Sequence, residues 1–513
     1  MEGFDILFLV PKYMSNIENF REERLKKIEI LKAAGMDPYP KDSFRTLENK
    51  KFLETFEEIS SSGKEVTLAG RIMSIRNQGG IVFADLFDGT VRVQTILKKD
   101  DIGVSSASKK ETSSGGPTDK FELFMNAVDS GDFIDVTGKT FVTKRGMKSL
   151  LGSSWRMLAK SLRPIPDEWF GLKDEDERYR RRYLDMILNP EVSERIVKRS
   201  IFWNAIRTFM LERGFIEVET PVLETMTGGA EARPFTTHHN ALDIDVFLRI
   251  SVGELWQKKL MVGGLPKTFE IGRIFRNEGM SYEHANDYTS FEFYEAFADS
   301  TKGVPMLIDL YRTVAQKTFG TLKFTINGFD IDLGKEWEKF DFNELMKKEY
   351  GIDPRDTDIK TVEGLLKKAG IKHETKIDLG RGVDLLWKKI RKTIAGPAIL
   401  TGMPIYLEPL AKKTPTDNRV VERFQILLAG SELGKAFNEL NDPIDQRERF
   451  EKQQALRDAG DEEAQMADFE YVEAMEYGMP PTFGFGVSER LFSFLAGKSI
   501  RESQIFPLMR PRE

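Results

Sequence analysis

The ten-residue segment FRNEGMSYEH (Phe275–His284) contains side chains of the types that bind a polar ligand. Arg276 and His284 suit a polyanion, because a guanidinium and an imidazole both donate hydrogen bonds to phosphate or carboxylate oxygens. Glu278 lies between them, and an ionised carboxylate can only accept hydrogen bonds. The segment therefore predicts a site for an anionic ligand that also carries hydrogen-bond donors.

The strands expected around this segment decide whether its polar groups can meet. If Thr268–Glu278 is extended, Arg276 and Glu278 share one face, because side chains alternate along a strand. On the returning strand, Glu292 and Tyr294 also share a face. Two adjacent strands can thus collect an arginine, two carboxylates and a phenol on one side of a sheet. The alternative, surface charge on a half-exposed hairpin, is open at this point.

Two segments further along the chain add residues of the same kind. In GSELGKAFNELND, Lys435, Phe437 and Glu439 share one face of an extended segment, and Glu432 precedes them. In GFGVSER, a glycine-rich stretch leads to Arg490 and a helix-like run. AGKSI lacks the first glycine of a phosphate loop, and the sequence has no GxSxG elbow and no HExxH helix. The polar groups therefore indicate a site built on strands.

The composition limits the kind of protein. A length of 513 residues suggests two or three domains, and 40% hydrophobic with 31% charged residues is typical of a globular chain. The net charge of −6 disfavours a wholly basic nucleic-acid coat but allows a local basic patch. The sequence contains no cysteine, which excludes disulfides and thiolate metal sites. No apolar run approaches the roughly 20 residues of a membrane span, so we expect no membrane partner and a cytoplasmic protein.

The elements expected in the first third of the chain form a small barrel. Asn16–Ala34 reads as an amphipathic helix, which Gly35 and two prolines end. VTLAGRIMSIR, GIVFADLFDG and TVRVQTIL then alternate apolar and polar residues, with Asp88-Gly89 at a tight turn. Short strands without long helices suit an OB-type barrel, which often carries single-stranded nucleic acid. The Ser- and Gly-rich segment between Lys98 and Lys120 reads as a mobile surface insertion.

The remaining two thirds mix helices with hairpin-connected strands, which favours an antiparallel sheet over a doubly wound one. The fold class is therefore α+β, with an OB-type barrel followed by an antiparallel sheet flanked by helices. We expect four regions: an N-terminal extension and helix (1–60), the barrel (61–165), a hinge (166–190), and a large domain (191–513) with a helical insertion around 305–394.

The motifs together resemble class II lysyl-tRNA synthetases along nearly the whole chain, from about Asn16 to Pro511. FMLERGFIEVETPVL is similar to the family's first motif, which in these enzymes belongs to the dimer interface. FEIGRIFRNEG with YTSFEFYEAFAD resembles the second motif, and GFGVSER with FPLMRP the third. GGAEARPFTTHHNALD and ELNDPIDQRERFE narrow the match to the lysine-specific members. The resemblance implies activation of lysine with ATP, transfer to the 3′ end of tRNA(Lys), a homodimer, and Mg²⁺ as cofactor.

The resemblance also implies roles for the ATP-site residues. Arg276 would grip the substrate carboxylate and the α-phosphate, and His284 would approach the outer phosphates. Glu278 would accept from the adenine amino group, with Tyr288 stacked on one adenine face and Arg490 on the other. Glu432 would hold Mg²⁺, and the family's second metal-binding glutamate is Gln425 here.

Further roles concern the amino acid and the tRNA. The residues that would surround lysine are Gly229, Glu254, Arg276, Glu292, Tyr294, Lys435, Phe437 and Glu439, with Glu439 and Tyr294 at the ε-amine and Glu254 and Gly229 at the α-amine. In the barrel, Arg76, Phe83 and Gln94 match positions that read the anticodon. The family's asparagine is Lys435 here, its barrel glutamate is Met147, and the third motif is one residue shorter. We expect Lys435 to serve the carboxylate end of the substrate.

Two other functions are compatible with the same fold. An aspartyl- or asparaginyl-specific relative would share the architecture, but Glu292 and Glu439 would repel an acidic substrate. A non-catalytic RNA-binding paralogue would have no use for Arg276 and Arg490. Residues before Met14 match nothing in the family, so we expect translation to begin at Met14.

Overall fold

The computed structural model describes residues 9–102, 119–166, 172–230, 232–372, 377–458 and 466–512. The chain divides into two compact units, Met1–Gly171 and Leu172–Glu513. This division falls within the region 166–190, where the sequence indicated a hinge. No helix in the described ranges has the length and apolar character needed to cross a membrane.

The first unit is built on the predicted barrel. Five strands close in the order β1-β2-β3-β5-β4, and β2 alternates half-buried and buried residues as the sequence predicted. Gly89, between β2 and β3, has a φ of +95° and so supplies the tight turn. The elements of this unit are α1 (Leu9–Ala33), α2 (Asn49–Glu54), α3 (Phe56–Ser62), β1 (Val66–Asn77), β2 (Ile81–Phe87), β3 (Arg92–Lys98), α4 (Lys120–Ala127), β4 (Phe133–Val142) and β5 (Lys148–Ala159).

The helices of this unit differ from the expected ones in two places. The first helix begins at Leu9, earlier than the expected Asn16. Most of the segment before Met14, and residues 103–118 of the expected insertion, lie outside the described residues. The helix α4 was not predicted, because eight residues are too few to show helical periodicity clearly. It buries Phe121 and Phe124 against the barrel, and Trp155 donates to the Lys120 carbonyl at 2.9 Å.

The second unit begins with helices and short strands around the first motif. Its elements up to residue 341 are α5 (Glu175–Arg180), α6 (Arg182–Leu188), α7 (Pro190–Leu211), β6 (Ile216–Glu217), β7 (Leu223–Glu224), β8 (Thr236–His239), β9 (Ile244–Leu248), α8 (Glu254–Val262), β10 (Lys267–Phe275), β11 (Asp287–Ala296), α9 (Ser300–Phe319), β12 (Lys323–Ile326), β13 (Phe329–Asp332) and β14 (Glu338–Asp341). The elements after residue 341 are α10 (Phe342–Tyr350), α11 (Ile359–Lys368), α12 (Leu379–Arg391), β15 (Ala398–Thr401), β16 (Met403–Pro404), a 3₁₀ turn (Ile405–Leu407), β17 (Val420–Val421), β18 (Arg423–Leu428), β19 (Ser431–Asn438), α13 (Pro443–Asp458), α14 (Phe469–Glu476), β20 (Thr482–Ser488), α15 (Arg490–Leu495) and α16 (Ile500–Ser503).

An eight-stranded sheet forms the centre of this unit, in the order β14-β15-β18-β19-β20-β11-β10-β6. The six central strands pair antiparallel, and both edge strands pair parallel. The helices α7 and α9 cover one face through a core rich in phenylalanine, including Phe202, Phe291 and Phe485. The predicted fold class, an OB-type barrel followed by an antiparallel sheet with helices, is confirmed.

Two local predictions for this unit are wrong in part. The segment 305–394 was expected to be helical, but it also contains β12, β13 and β14, and β14 extends the main sheet beside β15. Each of these strands has four residues, which is too short a run to show strand periodicity. The strand expected to reach Glu278 ends at Phe275, so a loop rather than a strand places Arg276 and Glu278.

Candidate active site

A cavity of about 420 Å³ lies on the sheet face opposite the phenylalanine core. Strands β11, β19 and β20 supply its floor, and the loop after β10, the start of α8 and the start of α15 supply its walls. The structure brings all thirteen predicted ATP- and lysine-site residues to this cavity: Gly229, Glu254, Arg276, Glu278, His284, Tyr288, Glu292, Tyr294, Glu432, Lys435, Phe437, Glu439 and Arg490.

A bulge in β19 explains how Glu432 joins this set. Strict alternation from Lys435 would exclude a residue three positions earlier, since successive side chains point to opposite faces. The pairing with β18 shifts between Gln425 and Leu427, so that β19 carries one extra residue there. Gly434, at the bulge, has a φ of +119°. Glu432 therefore lines the same cavity as Lys435 and Phe437.

The loop after β10 is closed by its own hydrogen bonds. The Arg276 backbone donates to the Asn286 carbonyl at 2.7 Å, and the Asn286 amide returns bonds to the carbonyls of Arg276 and Glu278. Ser281 and His284 are hydrogen-bonded at 2.7 Å. Burial and the nearby Arg490 lower the pKa of His284. The loop thus holds an arginine, a glutamate and a neutral imidazole at the cavity wall.

One end of the cavity is acidic. Glu292 accepts from the Val252 backbone at 2.9 Å and from the Tyr294 hydroxyl at 3.0 Å, and Glu439 and Glu254 lie beside it. The pKa values of Glu292 and Glu439 are both raised, mainly because the two carboxyl groups are buried. Buried carboxylates are stable only with cationic or donor partners. This end can therefore hold a ligand with ammonium groups.

Sequence reasoning missed a lysine at this end. Lys258 follows Glu254 by four residues on α8, and its ammonium lies 2.8 Å from Glu254 Oε1 and 2.6 Å from Glu439 Oε2. Its side chain is fully buried. Burial alone would lower the pKa of Lys258, but the two carboxylates outweigh burial and raise it. The spacing from Glu254 was a usable signal, but such pairs usually lie on solvated helix faces.

Two glycines give the carboxylates room. At Gly229, whose φ is +84°, a Cβ would lie 3.0 Å from Glu254 Oε2 and closer still to Ser251. At Gly484, a Cβ would lie 2.1 Å from Glu439 Oε1 and 2.6 Å from the Tyr294 ring. These positions tolerate no side chain, so the glycine-rich third motif serves close packing in the floor of the cavity.

The other end of the cavity is basic. Arg490 begins α15 and pairs with Glu283, a loop residue that sequence reasoning also missed. Burial lowers the pKa of Arg490, and the Glu283 carboxylate opposes this effect. Burial raises the pKa of Tyr288, whose ring centroid lies 5.9 Å from the Arg276 guanidinium. Cationic and aromatic groups in this arrangement suit a nucleotide.

A third missed residue, Glu408, lies between the two ends. It accepts from Arg423, and its carboxylate oxygens lie 3.4 and 3.5 Å from the Lys435 ammonium. The Lys435 ammonium also lies 5.0 Å from the Phe437 ring centroid. Lys435 therefore lies on the cavity wall, and its ionic partner is Glu408.

The Glu432 carboxylate lies at the basic end of the cavity. Glu432 accepts from the Trp387 indole at 2.6 Å. Burial would raise its pKa, but Arg423, Arg391 and the indole hydrogen bond outweigh burial and lower it. Gln425 accepts from Arg423 at 2.5 Å and donates to the Gly434 carbonyl at 2.9 Å, so both ends of its amide are engaged. In the described ranges, no three carboxylate or imidazole residues cluster as a metal site.

The barrel places its three predicted residues near one another. Arg76 on β1 pairs with Phe83 on β2, and cross-strand partners share a face. Asp85, two residues after Phe83, pairs with Gln94 on β3. Phe83 is half-buried, while its neighbours Val82 and Ala84 are fully buried in the barrel core. Arg76, Phe83 and Gln94 therefore share the face opposite that core.

Comparisons with known proteins agree with the fold. A family model described as tRNA synthetases class II (D, K and N) matches residues 174–510, and an OB-fold nucleic acid binding domain matches residues 66–165. A lysine–tRNA ligase of Fervidobacterium nodosum is 40% identical over 500 residues, which cover 96% of this chain and 95% of the relative. Lysine–tRNA ligases of Thermotoga maritima (38% identical; 97% of both chains) and Moorella thermoacetica (42%; 96% of this chain, 97% of the relative) are similarly related. The chain belongs to the lysine–tRNA ligase family of class II tRNA synthetases.

Proposed function

We propose that this protein activates L-lysine with ATP and transfers the lysyl group to the 3′ end of tRNA(Lys). In the first step, a carboxylate oxygen of lysine bonds to the α-phosphorus of ATP, and the bond to pyrophosphate breaks. The 3′-terminal hydroxyl of the tRNA then attacks the lysyl carbonyl, and AMP leaves. The observation that carries the proposal is one cavity with an acidic end for ammonium groups and a basic end for phosphates.

At the basic end, the proposed roles follow the charges. Arg276 neutralises charge that develops at the α-phosphate, where preorganised donors stabilise a transition state most. His284 approaches the outer phosphates, and Glu278 accepts from the adenine amino group. The adenine lies between Tyr288 and Arg490, and ATP must take the place of Glu283 beside that arginine.

Mg²⁺ is the proposed cofactor, and the residues present fit one ion. Glu432 is ionised and lines the cavity, and Mg²⁺ in such sites takes one or two carboxylates together with substrate phosphates. When bound, the ion supplies charge neutralisation at the phosphates. Gln425 does not fit a second ion, since its oxygen accepts from Arg423. We therefore propose Glu432 as the single protein carboxylate for the metal.

At the acidic end, Glu439 and Tyr294 take the ε-ammonium of lysine, and Glu254 with the Gly229 backbone takes the α-ammonium. Glu292 supports Tyr294 through their hydrogen bond. Lys435 and Phe437 line the wall between this end and the phosphates. An aspartate or asparagine substrate is disfavoured. Three buried carboxylates repel an acidic side chain, and a neutral amide would leave those carboxylates without charge compensation.

The barrel face is the proposed anticodon site. Half-buried Phe83 offers a ring for base stacking, and Arg76 beside it offers a cation for the RNA backbone or a base. Gln94, which is buried and bonded to Ser149, supplies an amide that can read a base edge. Loss of these contacts should affect tRNA charging and leave lysine activation unchanged.

We also propose a homodimer formed through the first motif. Val197 and Ile201, on α7, are 59% and 40% exposed and lie one helical turn apart. Leu211, Ile216 and Leu223 extend this apolar surface along the motif, with exposures of 48–51%. Replacing Ile201 with Asp should shift the mass measured by light scattering from dimer to monomer. The same change at Ile444, an exposed residue of α13, is the control, and a monomeric wild type would contradict the dimer.

Pyrophosphate exchange with each of the twenty amino acids tests the function. Lysine alone should support exchange, and tRNA(Lys) should then accept the lysyl group. Glu439→Gln should abolish lysine-dependent exchange, while Glu448→Gln on the exposed side of α13 should not. Exchange with aspartate or asparagine, or with no amino acid, would refute the proposal. Because translation takes place in the cytoplasm, the proposal implies that location, which cell fractionation can test.

A further inference from the structure

The geometry points to Lys258 as a positioning and specificity residue, an internal counter-ion that fits the acidic end of the cavity to a substrate with two ammonium groups. This inference rests on the proposed lysine site. Lys258 does not line the cavity in the way that the predicted residues do. It lies behind Glu254 and Glu439 and acts through them.

The contacts of Lys258 fix one oxygen of each neighbouring carboxylate. Its ammonium is 2.8 Å from Glu254 Oε1 and 2.6 Å from Glu439 Oε2. The remaining oxygens, Glu254 Oε2 and Glu439 Oε1, lie next to Gly229 and Gly484 in the cavity wall and floor. One buried cation therefore orients two carboxylates toward the space that the two amines of lysine would occupy.

Charge balance gives the second part of the argument. Glu254, Glu292 and Glu439 carry three negative charges when ionised, and Lys258 leaves two of them uncompensated. The two ammonium groups of lysine neutralise that remainder, whereas a substrate with one ammonium does not. Uncompensated charge in a buried site is strongly unfavourable. The internal lysine thus sets the number of positive charges that the site accepts.

An aromatic ring and several titratable groups surround Lys258. The ring centroid of Tyr294 lies 5.7 Å from its ammonium. The charged and titratable groups facing the cluster from the packed elements are Glu254 on α8, Glu270 on β10, Glu292 and Tyr294 on β11, Glu439 after β19, and Tyr471 on α14. Without Lys258, the carboxyl groups would hold one proton more than in the wild type, because like charges and burial both raise a carboxyl pKa.

The test is lysine-dependent pyrophosphate exchange by Lys258→Met between pH 6 and pH 8. At pH 7 we expect the lysine KM to rise about 10- to 100-fold, with the ATP KM unchanged within about twofold, because Glu254 and Glu439 lose the cation that orients them toward the substrate. The ratio of variant to wild-type KM should stay within about twofold across this pH range, because one retained proton takes the place of the Lys258 charge with and without bound lysine. Lys259→Met, on the same helix but paired with Asp468 at 3.5 Å, should behave like wild type.

Three results would overturn the inference. These are an unchanged lysine KM, a KM ratio that falls about tenfold per pH unit, and an equal rise in the lysine and ATP KM values. Lys258→Gln, whose amide can still donate to Glu439, repeats the test if the methionine variant does not fold. A wild type without lysine-dependent exchange would instead refute the proposed function.

Discussion

Lys435 provides a sharp test of the cavity, because the structure gives it a partner that the sequence did not. Its side chain is 42% exposed, and its ammonium lies 3.4 Å from Glu408 Oε2. Two unit charges at that distance interact by about 1 kcal/mol in water and about 5 kcal/mol at an effective dielectric constant of 20. A side chain this exposed belongs near the lower value, since measured surface pairs contribute at most about 1 kcal/mol.

The magnitudes expected for two variants follow from that estimate. Lys435→Asn removes the pair but leaves Glu408 bonded to Arg423, so the kcat/KM for lysine should fall at most about tenfold. Lys435→Glu replaces an attraction by a repulsion of similar size and adds an anion beside the substrate carboxylate and phosphates. A loss of about 2 to 3 kcal/mol corresponds to about 30- to 150-fold in kcat/KM.

Pyrophosphate exchange with lysine as the varied substrate measures both variants. Glu408→Gln in the Lys435→Glu background removes the facing carboxylate, so part of the loss should be recovered, as a double-mutant cycle would show. If Lys435→Glu retains activity within twofold of wild type, the side chain has no influence on the bound substrate. The electrostatic account of the central wall would then be wrong.

Three further predictions use other parts of the structure. Phe83→Ala should lower the kcat/KM for tRNA(Lys) about 5- to 150-fold, the loss of one stacked base, and spare pyrophosphate exchange. Equal damage to both reactions would make Phe83 a structural residue. Glu283→Gln should free Arg490 and lower the ATP KM about 2- to 5-fold, since a partly exposed pair contributes up to about 1 kcal/mol. Burial raises the pKa of Glu224 from 4.5 to about 7. The fold therefore loses stability as pH rises between these two values, because the buried carboxyl group must ionise. Glu224→Gln should therefore raise the unfolding free energy by about 1–3 kcal/mol at pH 8 and not at pH 5, measured by urea denaturation.

The strand pattern predicted much of the fold and of the cavity floor. Alternation along β11 and β19 assigned Glu292, Tyr294, Phe437 and Glu439 to one face, and the cavity contains all four. Alternation could not explain Glu432, whose position depends on the bulge at Gly434. A bulge changes the register by one residue, and a glycine in a strand is only a weak sign of it.

The missed residues share a physical reason. Lys258, Glu283 and Glu408 are charged side chains in segments whose sequence suits a solvated surface. Tertiary packing, which the local sequence does not show, places them at the cavity instead. For example, α8 packs on β10, β11 and α14, and this packing buries Lys258. The strand β14 was missed for a related reason, because only its partner β15 fixes it in the sheet.

Both ends of the cavity contain buried charges, and a different kind of counter-ion compensates them at each end. Buried charges without partners would destabilise the empty protein, so each end needs an internal group of opposite sign. At the basic end that group is Glu283, which is 31% exposed and belongs to a loop, so incoming phosphates can displace it. At the acidic end it is Lys258, which is fully buried on a helix and held by two carboxylates, so it stays when lysine binds. A displaceable counter-ion suits a substrate whose own charge takes its place. A fixed counter-ion suits a site that selects its substrate by the number of positive charges.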